Sequence, residues 1–209
     1  MFKLIKILEE VNSPINGKIQ VVRTLEGTRI LAGGLSQSGW LVKKVWDTAL
    51  KKVKKSGNDI SQVLILGLGG GSAAELVQKY WPNSKIVGVD VDPLMINLGK
   101  KYLSLHEVKN LKIVEADAEK WVKKQQGSFD LILIDIYTGY HTPDKFKTTK
   151  FLKTIKDLLS SGGVAVFNHV DSPSRITDKY QLESKLSRVF PVLKSVTPEA
   201  NIIFLCFKE

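Results

Sequence analysis

Val63-Leu-Ile-Leu-Gly67-Leu-Gly69-Gly70-Gly71-Ser72-Ala73-Ala-Glu-Leu-Val-Gln-Lys-Tyr80, followed by Ile86-Val-Gly-Val-Asp90-Val-Asp92-Pro93, is the stretch whose reading decides the fold. A short apolar run breaks into glycines, then residues with helical spacing follow, so the pattern is strand, tight turn, helix. The next apolar run ends on a carboxylate. Glycines at 67, 69 and 71 allow a sharp turn and close approach to a ligand, and a helix opening at Ser72 should present unpaired N–H groups. Asp90 lies 23 residues beyond Gly67. A dinucleotide fingerprint places its ribose-binding acid about 20 residues downstream, so the stretch predicts a nucleoside-binding crevice.

Strand and helix signals alternate outward from this stretch. Strands are expected at 63–66, 86–89, 111–114, 129–134 and 164–168, and helices at 73–80, 93–103, 118–125 and 150–159. That alternation makes a parallel sheet with helices on both faces. A helix near 178–187 then leads to strands at 192–197 and 202–207, which the short turn Pro198-Glu-Ala-Asn201 forces to pair antiparallel. The expected class is α/β, a Rossmann-like seven-stranded, mostly parallel sheet. Upstream, residues 2–34 read as β, with a hairpin around Leu25-Glu-Gly27. Residues 33–39 read as a loop, and Trp40–Lys55 as an amphipathic helix. Ser56-Gly-Asn-Asp59 marks a boundary, giving an N-terminal part at 1–55 and a main domain at 56–209.

The composition, 43% hydrophobic and 25% charged, is ordinary for a globular chain. No apolar run approaches the roughly 20 residues that cross a bilayer, and the first ten residues lack the features of a signal peptide. A cytoplasmic protein is expected. The one cysteine, Cys206, excludes an internal disulfide and reads as a small buried residue. The net charge of +10 is almost all lysine, with arginine only at 23, 29, 175 and 188. Those lysines are scattered along helices without interleaved aromatics, which favours a solvated surface over a nucleic-acid groove.

Ligands of open α/β sheets sit outside the carboxyl ends of the strands, and this sequence places Asp90, Asp92, Asp117 and Asp135 there. Asp90 suits the ribose, Asp117 the exocyclic adenine amine, and Asp135 the reacting centre. Asp117, before Ala-Glu-Lys, reads equally as a helix cap. His106 and His169 read as structural, and no His, Asp or Glu spacing suggests a metal.

With these acids the pattern resembles the S-adenosylmethionine-dependent methyltransferase fold, and within it the spermidine synthase family. The resemblance rests on the glycine loop from Val63 to Ser72, on Val89-Asp90-Val-Asp92-Pro93, on Ala116-Asp117-Ala118, on Ser13 to Val21, and on Gly34-Leu-Ser-Gln37. It implies nucleoside contacts from Gly67, Gly69, Gly71, Asp90, Asp92, Asp117, Ala118 and Gln37, with Asp135 as the catalytic aspartate. Tyr137, Tyr140 and His141 lie on the following loop, which is placed to close over the site, and Tyr137 joins Asp135 as a catalytic candidate. Three departures bear on the substrate. Thr138 stands where the family has a second aspartate, Val45-Trp46-Asp47-Thr48 replaces a tyrosine-containing acidic motif, and Gly70 replaces an aspartate that serves the aminopropyl amine.

The implied activity is group transfer from S-adenosylmethionine or its decarboxylated form to a small-molecule acceptor. Methyl transfer is placed ahead of aminopropyl transfer to a polyamine. A non-catalytic nucleoside-binding module is the reading from a different class. A nicotinamide dehydrogenase is disfavoured, because there is no room for a substrate domain and Asp117 would be superfluous. The N-terminal hairpin is a candidate homodimer element.

Overall fold

The computed structural model describes residues 5–57, 59–139, 141–170 and 176–209. Four strands come first: β1 (Lys6–Ser13), β2 (Gly17–Thr24), β3 (Gly27–Ala32) and β4 (Leu35–Gly39). They form one antiparallel sheet in chain order. The expected hairpin is therefore half of a four-stranded sheet, and the segment read as a loop is its last strand. The polar sequence Leu35-Ser-Gln-Ser-Gly39 hid it, because its backbone pairs with β3 across a register shift between Ile30 and Leu31 rather than through an apolar pattern.

Helix α1 spans Trp40–Lys55 and buries Val45, Trp46, Ala49, Leu50 and Val53. These residues pack with Val63, Ile65, Leu131, Leu133, Val164 and Val166 of the main sheet. By packing, α1 is thus part of the main core rather than an appendage of the N-terminal sheet.

The main sheet contains β5 (Gln62–Leu66), β6 (Lys85–Asp90), β7 (Leu111–Glu115), β8 (Phe129–Ile134), β9 (Leu159–Val170), β10 (Val192–Val196) and β11 (Asn201–Phe207). Its order is β10-β11-β9-β8-β5-β6-β7. Strands β5 to β9 run parallel, and the last two are antiparallel. Both faces are covered, which explains the unbroken apolar run in β5. Val63 and Ile65 point to the α1 side. Leu64 and Leu66 point to the opposite side, with Phe151, Leu152 and Ile155 of α5 (Thr149–Asp157) and Leu182 and Leu186 of α6 (Ile176–Val189). Strand β9 begins at Leu159, earlier than expected, because the chain passes through Gly162 at φ 72° and resumes pairing with β8 beyond it.

Helices α2 (Ser72–Tyr80), α3 (Pro93–Tyr102) and α4 (Ala118–Val122) complete the connections. The N-terminal sheet packs Ile19, Val21, Ile30 and Ala32 against Met95, Leu98 and Leu103 of the α3 region. Cys206 is fully buried in β11, as its apolar neighbours suggested. Among the described residues, no helix is long and apolar enough to cross a membrane.

Candidate functional site

The strand order reverses between β5 and β8, since β6 and β7 extend one way and β9 the other. Ligands of such sheets bind at that reversal. Gly67 follows β5 and Asp135 follows β8, and the two backbones touch: a Cβ on Gly67 would lie 2.2 Å from the Asp135 carbonyl oxygen, with φ at 87°. Only glycine fits there.

A cavity of about 400 Å³ opens above this junction. Of the residues expected at the site, Gln37, Gly67, Gly69, Asp90, Asp117, Ala118, Asp135 and Tyr137 line it, while Gly71, Asp92 and His141 do not. Tyr140 lies outside the described residues.

The glycine loop departs from expectation in one respect that matters chemically. Upstream of α2, the loop's own amides are bonded within the protein. Gly67 and Leu68 donate to the Val89 carbonyl, and Gly71 donates to that of Leu68. Gly69 N–H donates to Asp90 Oδ2 at 2.6 Å, and Gly70 N–H to Ser38 Oγ at 2.7 Å. Gly39 N–H in turn donates to Ser72 Oγ at 2.8 Å, so β4 is stitched to the loop in both directions. A phosphate-binding loop needs free N–H groups. From Gly67 to Gly71 all five are bonded within the protein.

Asp90 is enclosed and also accepts the Asp92 N–H at 3.0 Å through Oδ1. Burial pushes its carboxyl above the ordinary value, against the opposing pull of those two amides. A carboxylate has about four acceptor positions, so these amides leave acceptor capacity on Asp90 for a ribose hydroxyl. Asp92 has a different role from the expected one. It caps α3 through Leu94 N–H and accepts from Ser13 Oγ and Asn16 Nδ2, both at 2.6 Å. It is fully buried and ties the β1–β2 turn to the main domain. That turn brings Ile15 and Asn16 to the cavity wall.

Asp117 caps α4, accepting the Lys120 N–H at 2.9 Å, and pairs with Lys145 Nζ at 2.5 Å. Burial raises its carboxyl, but the Lys145 ammonium and the Lys120 amide outweigh this and hold it below the ordinary value. Asp117 is thus a helix cap that also lines the cavity.

Asp135 has neutral partners only among those described. Trp46 Nε1 donates to Oδ2 at 2.7 Å, and Asn168 Nδ2 donates to Oδ1 at 2.9 Å. Asn201 Nδ2 completes the chain by donating to Asn168 Oδ1 at 2.9 Å. Burial pushes the Asp135 carboxyl up; the Asn168 and Trp46 donors pull it down, and the nearby Asp90 charge adds to the upward push. A carboxylate held in place by donors but unneutralised by a cation is an oriented base. Tyr137 beside it has a buried hydroxyl without a normal hydrogen bond among the described residues. Burial and the Asp135 charge push this phenol well above its ordinary value, though the Val170 backbone lies near enough to oppose them slightly. It stays protonated, a donor in waiting.

Trp46, Asn168, Asn201 and Lys145 were missed from the sequence as site residues. Asn168 sits at a strand end, where only carboxylates were sought. Trp46 stands in the segment that departs from the family's acidic motif.

The sequence profile described as "Methyltransferase domain" matches residues 63–163. The polyamine aminopropyltransferase of Chromobacterium violaceum is 38% identical over 112 residues, 53% of this chain and 43% of that protein. The mouse eEF1A lysine and N-terminal methyltransferase is 28% identical over 69% of this chain and 22% of that protein. The matched stretch is thus less than half of either relative's length. Among solved structures, a spermidine synthase in complex with the transition-state analogue AdoDATO superposes with TM-score 0.82 at 21% identity, over 98% of this chain and 74% of that one.

Proposed function

We propose that this chain, which has the class I methyltransferase fold and is similar in sequence to polyamine aminopropyltransferases, transfers a group from an S-adenosyl sulfonium donor to a small nucleophile beside Asp135. The observation that carries the reading is the closed glycine loop, with every amide from Gly67 to Gly71 bonded internally. Such a loop favours a nucleoside whose ribose is held by Asp90 over any pyrophosphate-bearing cofactor. Asp117 and Ala118 then border the base, with Lys145 turning away from Asp117 as the base enters.

The sulfonium carbon is already activated, so the protein's work is alignment, exclusion of water and custody of one proton. Asp135, fixed on both oxygens, orients the nucleophile and takes its proton. Tyr137 donates toward the same centre. Methyl transfer is placed first because Gly70 stands where the resemblance implies an acid that serves an aminopropyl amine, in a crowded position. Even a Cβ there would lie 2.9 Å from atoms of Ile30, Leu103 and Ser38. Aminopropyl transfer is the second reading, favoured by the 38% identity to a polyamine aminopropyltransferase. A cytoplasmic setting fits a lone cysteine that is buried rather than bridged.

Thermal-shift titration with S-adenosylmethionine, decarboxylated S-adenosylmethionine and NAD tests this. Either sulfonium donor should raise the melting temperature of the native chain and of Asp135→Asn, but not of Asp90→Ala. Stabilisation by NAD alone would overturn the proposal.

A further inference from the structure

The acceptor half of the cavity is bounded by α1, which supplies Trp46 to Asp135. Its cavity wall is Leu41, Val42 and Val45, which share one helix face, and Ile136, Val170 and Ala200 also line the cavity. The acids nearest this wall in sequence are engaged elsewhere. Asp47 is bound by Lys51 at 2.6 Å and by the Tyr80 hydroxyl at 2.6 Å. Glu75 pairs with Lys43 at 2.5 Å, and Glu199, next to Ala200, pairs with Lys44 at 2.6 Å. None of the three lines the cavity.

The charges that do line it are Asp90, Asp117, Asp135 and Lys145. Asp117 is matched by Lys145, and Asp90 lies at the glycine loop. One lining carboxylate, Asp135, is left with neither a cation nor a loop amide among the described residues, and Trp46 of α1 ties it to the helix that carries the apolar wall.

We propose that the acceptor is a primary amine carried on an apolar body and bearing no second cation. This rests on the donor reading above and adds the class of nucleophile. The acceptor's single ammonium sits on Asp135 and its hydrocarbon or aromatic body lies along Leu41, Val42 and Val45. A diamine would set its second ammonium against that wall, beside a sulfonium and in a chain of net charge +10, with no carboxylate among the described lining residues beyond Asp90, Asp117 and Asp135 to receive it. In the reaction the ammonium first gives one proton to Asp135. The freed lone pair forms the N–C bond as the S–C bond breaks, and that bond's electron pair stays on sulfur as a neutral thioether. The product is the secondary ammonium.

The test uses the full chain with S-adenosylmethionine and, separately, decarboxylated S-adenosylmethionine, following release of the thioether nucleoside by liquid chromatography. Hexylamine and 2-phenylethylamine are compared with putrescine and 1,6-diaminohexane. Burying an unpaired charge is costly enough that kcat/KM for a monoamine should exceed that for the matched diamine by about tenfold or more. Val42→Asp, which places a second carboxylate on the wall, should narrow that ratio by about tenfold. Equal or better use of the diamines by the native chain overturns the inference. So does donor binding with no amine consumed, while leaving the donor reading intact. Absence of any thermal shift with either donor would instead sink the donor reading itself.

Discussion

Asp135 combines two demands that pull against each other, ionisation at a buried position and freedom from a neutralising cation. Its two neutral donors reconcile them, since each bonds to the charged form and lowers the pKa that burial raises. Removing one should have a definite sign. In Asn168→Ala the ionised carboxylate loses a donor, so its pKa rises and the acidic limb of the kcat profile moves to higher pH. A hydrogen bond to a charged group is worth roughly 1.5–3 kcal/mol, so a shift of about one to two pH units is expected. Asp135→Asn should abolish that limb together with turnover. An Asn168→Ala profile superimposing on the native one would remove Asn168 from the positioning role.

Among the elements, β4 and the β1–β2 turn do more for the site than their short polar sequences suggested. β4 closes the glycine loop through Ser38 and Gly39. The turn is held by Asp92, which caps α3 and accepts from Ser13 and Asn16. Asp92→Ala removes a cap worth about 1 kcal/mol and strands two polar groups, so denaturant unfolding should show a loss of about 2–4 kcal/mol. Donor affinity should fall as well, because Ile15 and Asn16 lose their anchor at the cavity wall. A stability change within about 0.5 kcal/mol, the range of ordinary surface substitutions, would contradict this role.

At the scale of the molecule, the N-terminal sheet and the main domain share a core through α3, and α1 packs within the main core. Urea unfolding followed by tryptophan fluorescence and by far-ultraviolet circular dichroism should therefore give coincident transitions. An early transition belonging to the N-terminal sheet alone would show that the tether at Asp92 does not couple the two parts. The sequence by itself determined the parallel sheet, its antiparallel ending, the glycine turn and the carboxylates at the strand ends. Each of these follows from local periodicity and from where an apolar run stops. Only the tertiary structure decided what those groups are bonded to. Ser13 meets Asp92 across 79 residues and Trp46 meets Asp135 across 89. Pairings at such separations leave no periodic trace, because they depend on how whole elements pack. That is why the internal bonding of the glycine turn, and the tether that Asp92 makes to Ser13 and Asn16, appear only in the folded chain.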